Sequence, residues 1–275
     1  MTDPDIFGSS PAADAPVRRR RKGIYLLPNL LTTGTLFSGF YAIIAAIDGH
    51  FVQAAGAIYV AMVFDGLDGR VARWTRTASS FGKEYDSLSD MVAFGVAPAI
   101  VVYQWGVAHH SGYDAIWGRL GWLVTFLYAV GAALRLARFN TRTSVVDKRY
   151  FEGLPSPSAA AVVAGFIWCA AQYGFAGLAA LAVAFAVTAL AGTLMVSQFY
   201  YSSFKGVKLT GRVKFTYALL IPLAFVLIAL EPPIVLLALF GSFAASGPAA
   251  SLWRRARGVG LPPPEDTPVA PETHG

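Results

Sequence analysis

An all-α, polytopic membrane bundle of about eight transmembrane helices is the fold class this sequence predicts, and three observations carry it. Hydrophobic residues fill 55% of the 275 positions and charged residues only 14%, too few to cover a water-soluble domain of this size. The mean hydropathy is +0.52, and the apolar residues are gathered into runs of about 20, the length that crosses a bilayer. Lysine and arginine fall almost entirely between alternate runs, as in multi-pass membrane proteins.

Residues 1–23 are polar and end in the basic stretch RRRRKG, so they are expected to form a disordered basic tail. The apolar run after it is too long for a signal peptide and is expected to stay as the first helix. Spans are predicted over 26–47, 51–74, 87–106, 120–138, 156–172, 175–198, 214–230 and 233–251. The connectors DGH, QYG and EPP are so short that they favour antiparallel hairpins. The fifth span opens on LPSP, a proline-restricted helix start. In the fourth span, Gly131, Ala132 and Ala133 permit close helix packing, within one chain or between two. Beyond the last span, residues 253–275 are rich in proline and acid and are expected to be a disordered tail.

The charge pattern orients the bundle. Of 22 Lys and Arg residues, only Arg119 lies outside the segments 18–22, 70–83, 135–149, 205–214 and 254–257. Those five segments share one side, so both termini are predicted to be cytoplasmic. The basic residues are too dispersed to make a nucleic-acid module. A single cysteine, Cys169, excludes an internal disulfide, and four histidines in loops or the tail suggest no transition-metal site.

One segment resists a purely topological reading. After the apolar FVQAAGAIYVAMVF, the chain continues DGLDGRVARWTRTASSFGKEYDSLSD, from Asp65 to Asp90. Asp65 and Asp68 are three residues apart, and Asp86 and Asp90 four, so each pair lies on one helix face. A hairpin around TRTASSFG brings all four carboxylates together, where only protons or cations can offset their repulsion. All-oxygen ligands favour Mg²⁺ or Mn²⁺. Gly66, Gly69 and Ala72 keep the helix surface low, and Arg73 borders the same side, where it can meet a phosphate. Charges at helix ends are ordinarily solvated or paired, and Asp65 can pair with Arg70 or Arg73. Four acidic residues at paired helical spacing favour a functional site instead.

The order Asp65, Asp68-Gly69, Ala72-Arg73, Gly82, Asp86, Asp90 resembles the signature of the CDP-alcohol phosphatidyltransferases, with all eight positions filled at the family's spacing. The resemblance implies a six-helix catalytic core, a two-metal site held by Asp65, Asp68, Asp86 and Asp90, and Asp90 as general base. It also implies that Asn29, in the opening of the first span, faces the nucleotide and phosphates of a CDP-lipid. Gly69, Ala72, Arg73, Ser79 and Gly82 would contact that lipid, and the family suggests a homodimer.

Four further stretches resemble the bacterial-type phosphatidylserine synthase branch: PNLLTTGTLFSGFYAII, LRLARFN, FEGLPSPSAAA and LMVSQFYYSSFK. The core is therefore expected over 24–205, with two additional helices in 206–252. The branch implies CDP-diacylglycerol and L-serine as substrates and CMP as a product, in the inner cell membrane with the site at its cytoplasmic face. Arg135, Arg138 and Lys205 are cationic candidates for the serine carboxylate, though cations at inside ends also serve topology alone. Other acceptors (glycerol 3-phosphate, inositol or choline) stay open, as does a divalent-cation transporter, which calls for acidic residues near mid-membrane in several spans.

Overall fold

The computed structural model of the chain describes residues 26–75, 77, 79–109, 115–141, 150–202 and 215–257. Among them are α1 (Leu26–Ile47), α2 (Phe51–Thr75), α3 (Ser80–Asp90), α4 (Ala97–His109), α5 (Ala115–Thr141), α6 (Ser156–Gln172), α7 (Leu178–Val196), α8 (Phe215–Leu230) and α9 (Pro232–Ala256). A π-helical turn, Met91–Val96, fuses α3 to α4. The eight predicted spans all appear as helices, and six are long and apolar enough to cross a membrane. The other two, α6 and α8, have 17 and 16 residues. At 1.5 Å per residue α6 reaches only about 25 Å, but it is enclosed by α2, α4, α7 and α9 and so does not face lipid alone. The last helix runs to Ala256, past the expected boundary at 252. The expected N-terminal tail and the chain after Arg257 lie outside the described residues.

Glycine closes the short connectors. Gly49 has φ 79°, and the His50 and Gly49 amides donate to the Ala45 and Ala46 carbonyls at 2.8 and 3.1 Å, a Schellman closure that folds α2 back on α1. Gly174, φ 67°, ends α6 in the same way, with the Phe175 amide donating to the Ala170 carbonyl.

Small residues set the packing distances, as expected where lipid offers little drive for helix association. The buried core includes Ala42, Ala45, Ala54, Ala55, Ala61, Ala93, Ala160 and Ala164. Gly131 of α5 touches α7 so closely that a Cβ there would lie 2.7 Å from the Gly192 carbonyl oxygen. Ala132 is buried and Ala133 is exposed, so the GAA run serves contact within the chain at its first two positions.

Two three-residue strands, β1 (Tyr150–Glu152) and β2 (Tyr200–Ser202), pair antiparallel with Phe151 opposite Tyr201. This clasp joins the entrance of α6 to the exit of α7. It lies at the end of the bundle where α2 finishes and α3 begins.

Candidate active site

Ser79 caps α3: its hydroxyl accepts the Gly82 amide at 3.0 Å, which fixes where the helix begins and hence the phase of Asp86 and Asp90. With α2 and α3 so placed, Asp65, Asp68 and Asp86 each bring a carboxylate oxygen within 4.8 Å of the others. Asp90, one turn deeper, stands outside this trio. Asp86 Oδ1 and Asp90 Oδ1 are buried and have no hydrogen-bond partner among the described residues. Asp68 is 4% exposed, and Thr32 of α1 donates to its Oδ2 at 2.8 Å. Thr32 thus makes α1 a third wall of the site.

The other expected residues divide into three groups. Asn29, Ser79 and Gly82 come together, since a Cβ on Gly82 would lie 3.1 Å from Ser79 Oγ and 3.4 Å from Asn29 Oδ1. Gly69, Ala72 and Arg73 line the same side of α2. A Cβ on Gly69 would lie 3.5 Å from Arg73 Nη1, and one on Gly66 would meet nothing within 4 Å, so the surface beside the aspartates is low and open. An open groove of about 550 Å³ adjoins it along α2, lined by Leu67, Arg70, Val71, Arg73 and Trp74.

The arginines of α5 form the third group. Arg135 lies close enough to Asp65 and Asp90 to couple electrostatically with both. Its Nη1 donates to Ser156 Oγ at 3.0 Å, while its buried Nε has no partner among the described residues. Arg138 instead pairs with Glu152 of β1. Lys205 lies outside the described residues.

Thr32, Ser156 and Glu152 escape a reading by spacing. Thr32 sits one position past the Pro28–Leu31 opening of α1, and Ser156 lies within the LPSP start, where proline dominates the signal. Their roles come from contacts with residues 36, 21 and 14 positions away. On α3, Tyr85 adds a further tie, 2.9 Å from the Thr33 hydroxyl.

The acidic set is all oxygen, converges from two helices and leaves buried carboxylate oxygens without a partner among the described residues. These are properties that suit a hard divalent cation. Carboxylates, a guanidinium and an open low surface thus lie together at one end of apolar helices.

The chain belongs to the CDP-alcohol phosphatidyltransferase family, which it matches over residues 25–196. This family uses a divalent metal, consistent with the donor set. The chain is similar to a CDP-diacylglycerol–serine O-phosphatidyltransferase of Helicobacter pylori, 40% identical over 205 residues, covering 74% of this chain and 83% of that protein. A protein of the same description from Saccharomyces cerevisiae is 39% identical over 147 residues, covering 48% of this chain and 50% of its own. An archaetidylserine synthase of Methanothermobacter thermautotrophicus is 39% identical over 142 residues, covering 51% and 57%.

Proposed function

We propose that this chain transfers the phosphatidyl group of CDP-diacylglycerol to the hydroxyl of L-serine, giving phosphatidylserine and CMP. The observation that carries the chemistry is the convergence of Asp65, Asp68 and Asp86 from two helices. The choice of serine is supported by the serine transferase of H. pylori, matched over 83% of its length.

Asp65, Asp68, Asp86 and Asp90 are the residues that would hold Mg²⁺ or Mn²⁺, as a two-metal site. When bound, the cations polarise the pyrophosphate and neutralise charge gathering on the departing CMP. The chain's own groups do the rest. CDP-diacylglycerol lies against α2 with its acyl chains in lipid, its phosphates over the low surface of Gly66 and Gly69, and Arg73 beside them. Asn29, Ser79 and Gly82 border the nucleotide. Asp90 takes the proton from the serine hydroxyl. The serine oxygen then forms a bond to the lipid-bearing phosphorus, and the bond from that phosphorus to the CMP oxygen breaks, its electron pair leaving with CMP.

Arg135, whose Nε has no partner among the described residues and whose Nη1 donates to Ser156, receives the serine carboxylate. Arg138, engaged by Glu152, supports the same wall from outside, and Lys205 is a further cation for the acceptor. The one-sided distribution of the basic residues supports a site at the cytoplasmic face, where lipid meets water-borne serine; in this reading the membrane is the inner membrane and the enzyme works as a homodimer.

Purified protein in mixed micelles is expected to release CMP from CDP-diacylglycerol only when serine and a divalent metal are both present. Equal release with glycerol 3-phosphate, inositol or choline in place of serine would defeat the serine assignment.

A further inference from the structure

The last helix lies outside residues 25–196, the part that matches the family, yet it is joined to the acceptor side of the site. Tyr201 of β2 is fully buried. Its ring lies against α9, where a Cβ on Gly247 would fall 2.5 Å from Tyr201 Cζ, and it packs against Phe243 with ring centroids 5.5 Å apart. Its hydroxyl donates to the Ala244 carbonyl at 3.0 Å. Four residues beyond Ala244 stands Pro248, which has no N–H. The usual helical donor to that carbonyl is therefore missing, and the Tyr201 hydroxyl donates there instead.

From Tyr201 the connection runs inward. Tyr201 is opposite Phe151, and its neighbour Tyr200 is opposite Glu152, the partner of Arg138. The Gly153 and Leu154 amides donate to the Phe199 and Leu194 carbonyls at 2.8 and 2.9 Å. Two residues on, Ser156 holds Arg135. Both arginines are therefore oriented by one clasp, and α9 is the wall behind it.

We propose that α9 is a positioning element for the acceptor, with Tyr201, Ala244 and Gly247 setting the clasp that holds Arg135 toward Asp90. This deepens the serine reading and rests on it. A side chain at Gly247 displaces Tyr201, which moves β1 and the α6 entrance but leaves the aspartates of α2 and α3 and the CDP-lipid surface where they are.

The test compares Gly247→Leu, Tyr201→Phe and Arg135→Met in the full chain, with KM measured separately for serine and CDP-diacylglycerol. Gly247→Leu is expected to raise the serine KM about tenfold with the lipid KM unchanged, and Tyr201→Phe to raise it less. If Gly247→Leu does not yield a monodisperse protein, Tyr201→Phe and Gly247→Ala carry the same comparison. An unchanged serine KM in the α9 variants, or equal changes in both KM values, overturns the positioning role. Arg135→Met separates the two ideas. If it leaves serine KM unchanged, the serine pocket itself is wrong; if it raises serine KM while the α9 variants do not, only the role of α9 fails.

Discussion

The Tyr128 hydroxyl donates to the Phe94 carbonyl at 2.9 Å, across from α5 to the π turn that follows Asp90. Pro98, four residues after Phe94, has no N–H to offer that carbonyl, and the helix widens there, the Ala97 amide reaching back to the Val92 carbonyl. Single π turns inside α-helices often stand at functional sites, and this one begins at the residue after Asp90. Tyr128 also shares a face of α5 with Arg135, two turns away. The same face of α5 thus carries the tyrosine that braces the turn after Asp90 and the arginine whose charge acts on Asp90.

Tyr128→Phe leaves the Phe94 carbonyl buried without its donor, at a cost of about 1–3 kcal/mol. Thermal unfolding in detergent is expected to shift downward, and kcat to fall while both KM values hold. An unchanged kcat would mean that the π turn keeps its shape without Tyr128.

Thr32→Val removes the hydrogen bond to Asp68 Oδ2 at nearly constant volume. Outer partners of metal-binding carboxylates typically contribute about 10–100-fold in metal affinity or activity. The Mg²⁺ or Mn²⁺ concentration for half-maximal activity should therefore rise by about tenfold or more, and an unaltered metal titration would remove Thr32 from the site.

Asp90→Asn keeps size and shape but cannot accept the serine proton. Turnover is expected to vanish while CDP-diacylglycerol still binds, as read by protection of the variant against thermal unfolding. Substantial residual turnover would take the base role from Asp90.

At the opposite end of the bundle, the Tyr173 hydroxyl donates to Glu231 at 2.6 Å, tying the α6–α7 connector to the α8–α9 connector. The Glu231 carboxylate accepting this hydrogen bond is the chief cause that raises the Tyr173 phenol from 10.0 to about 12. With the folded value above the unfolded one, the contribution is whole below pH 10 and fades as pH climbs through 12. Tyr173→Phe should flatten the alkaline loss of thermal stability in that window; an unchanged alkaline profile would show that this tie contributes nothing measurable. Because the pair is exposed, the effect should be small and weaken further with salt.

Much of this architecture is legible from composition and spacing. Eight apolar runs became eight helical segments, and DGH and QYG became glycine-closed turns, because hydrocarbon forces every backbone group into a local hydrogen bond. Asp65, Asp68 and Asp86 converge because helical periodicity and a short hairpin leave few other arrangements. The π turn was less visible: Pro98 marks it, but the carbonyl it strands acquires meaning only when Tyr128 arrives from another helix.

By itself the sequence determined an apolar helical bundle with one acidic end, since segment length, periodicity and charge are local properties that a bilayer reads directly. Tertiary structure alone decided which of the two α5 arginines is engaged by Glu152 and which holds Ser156 beside the aspartates. It also decided that Thr32 serves Asp68 and that Tyr201 completes α9 at Ala244. Each of these pairings joins residues far apart in the chain. Each depends on the packing of small residues, which determines how closely two helices approach and therefore which polar groups come within 3 Å or so of one another.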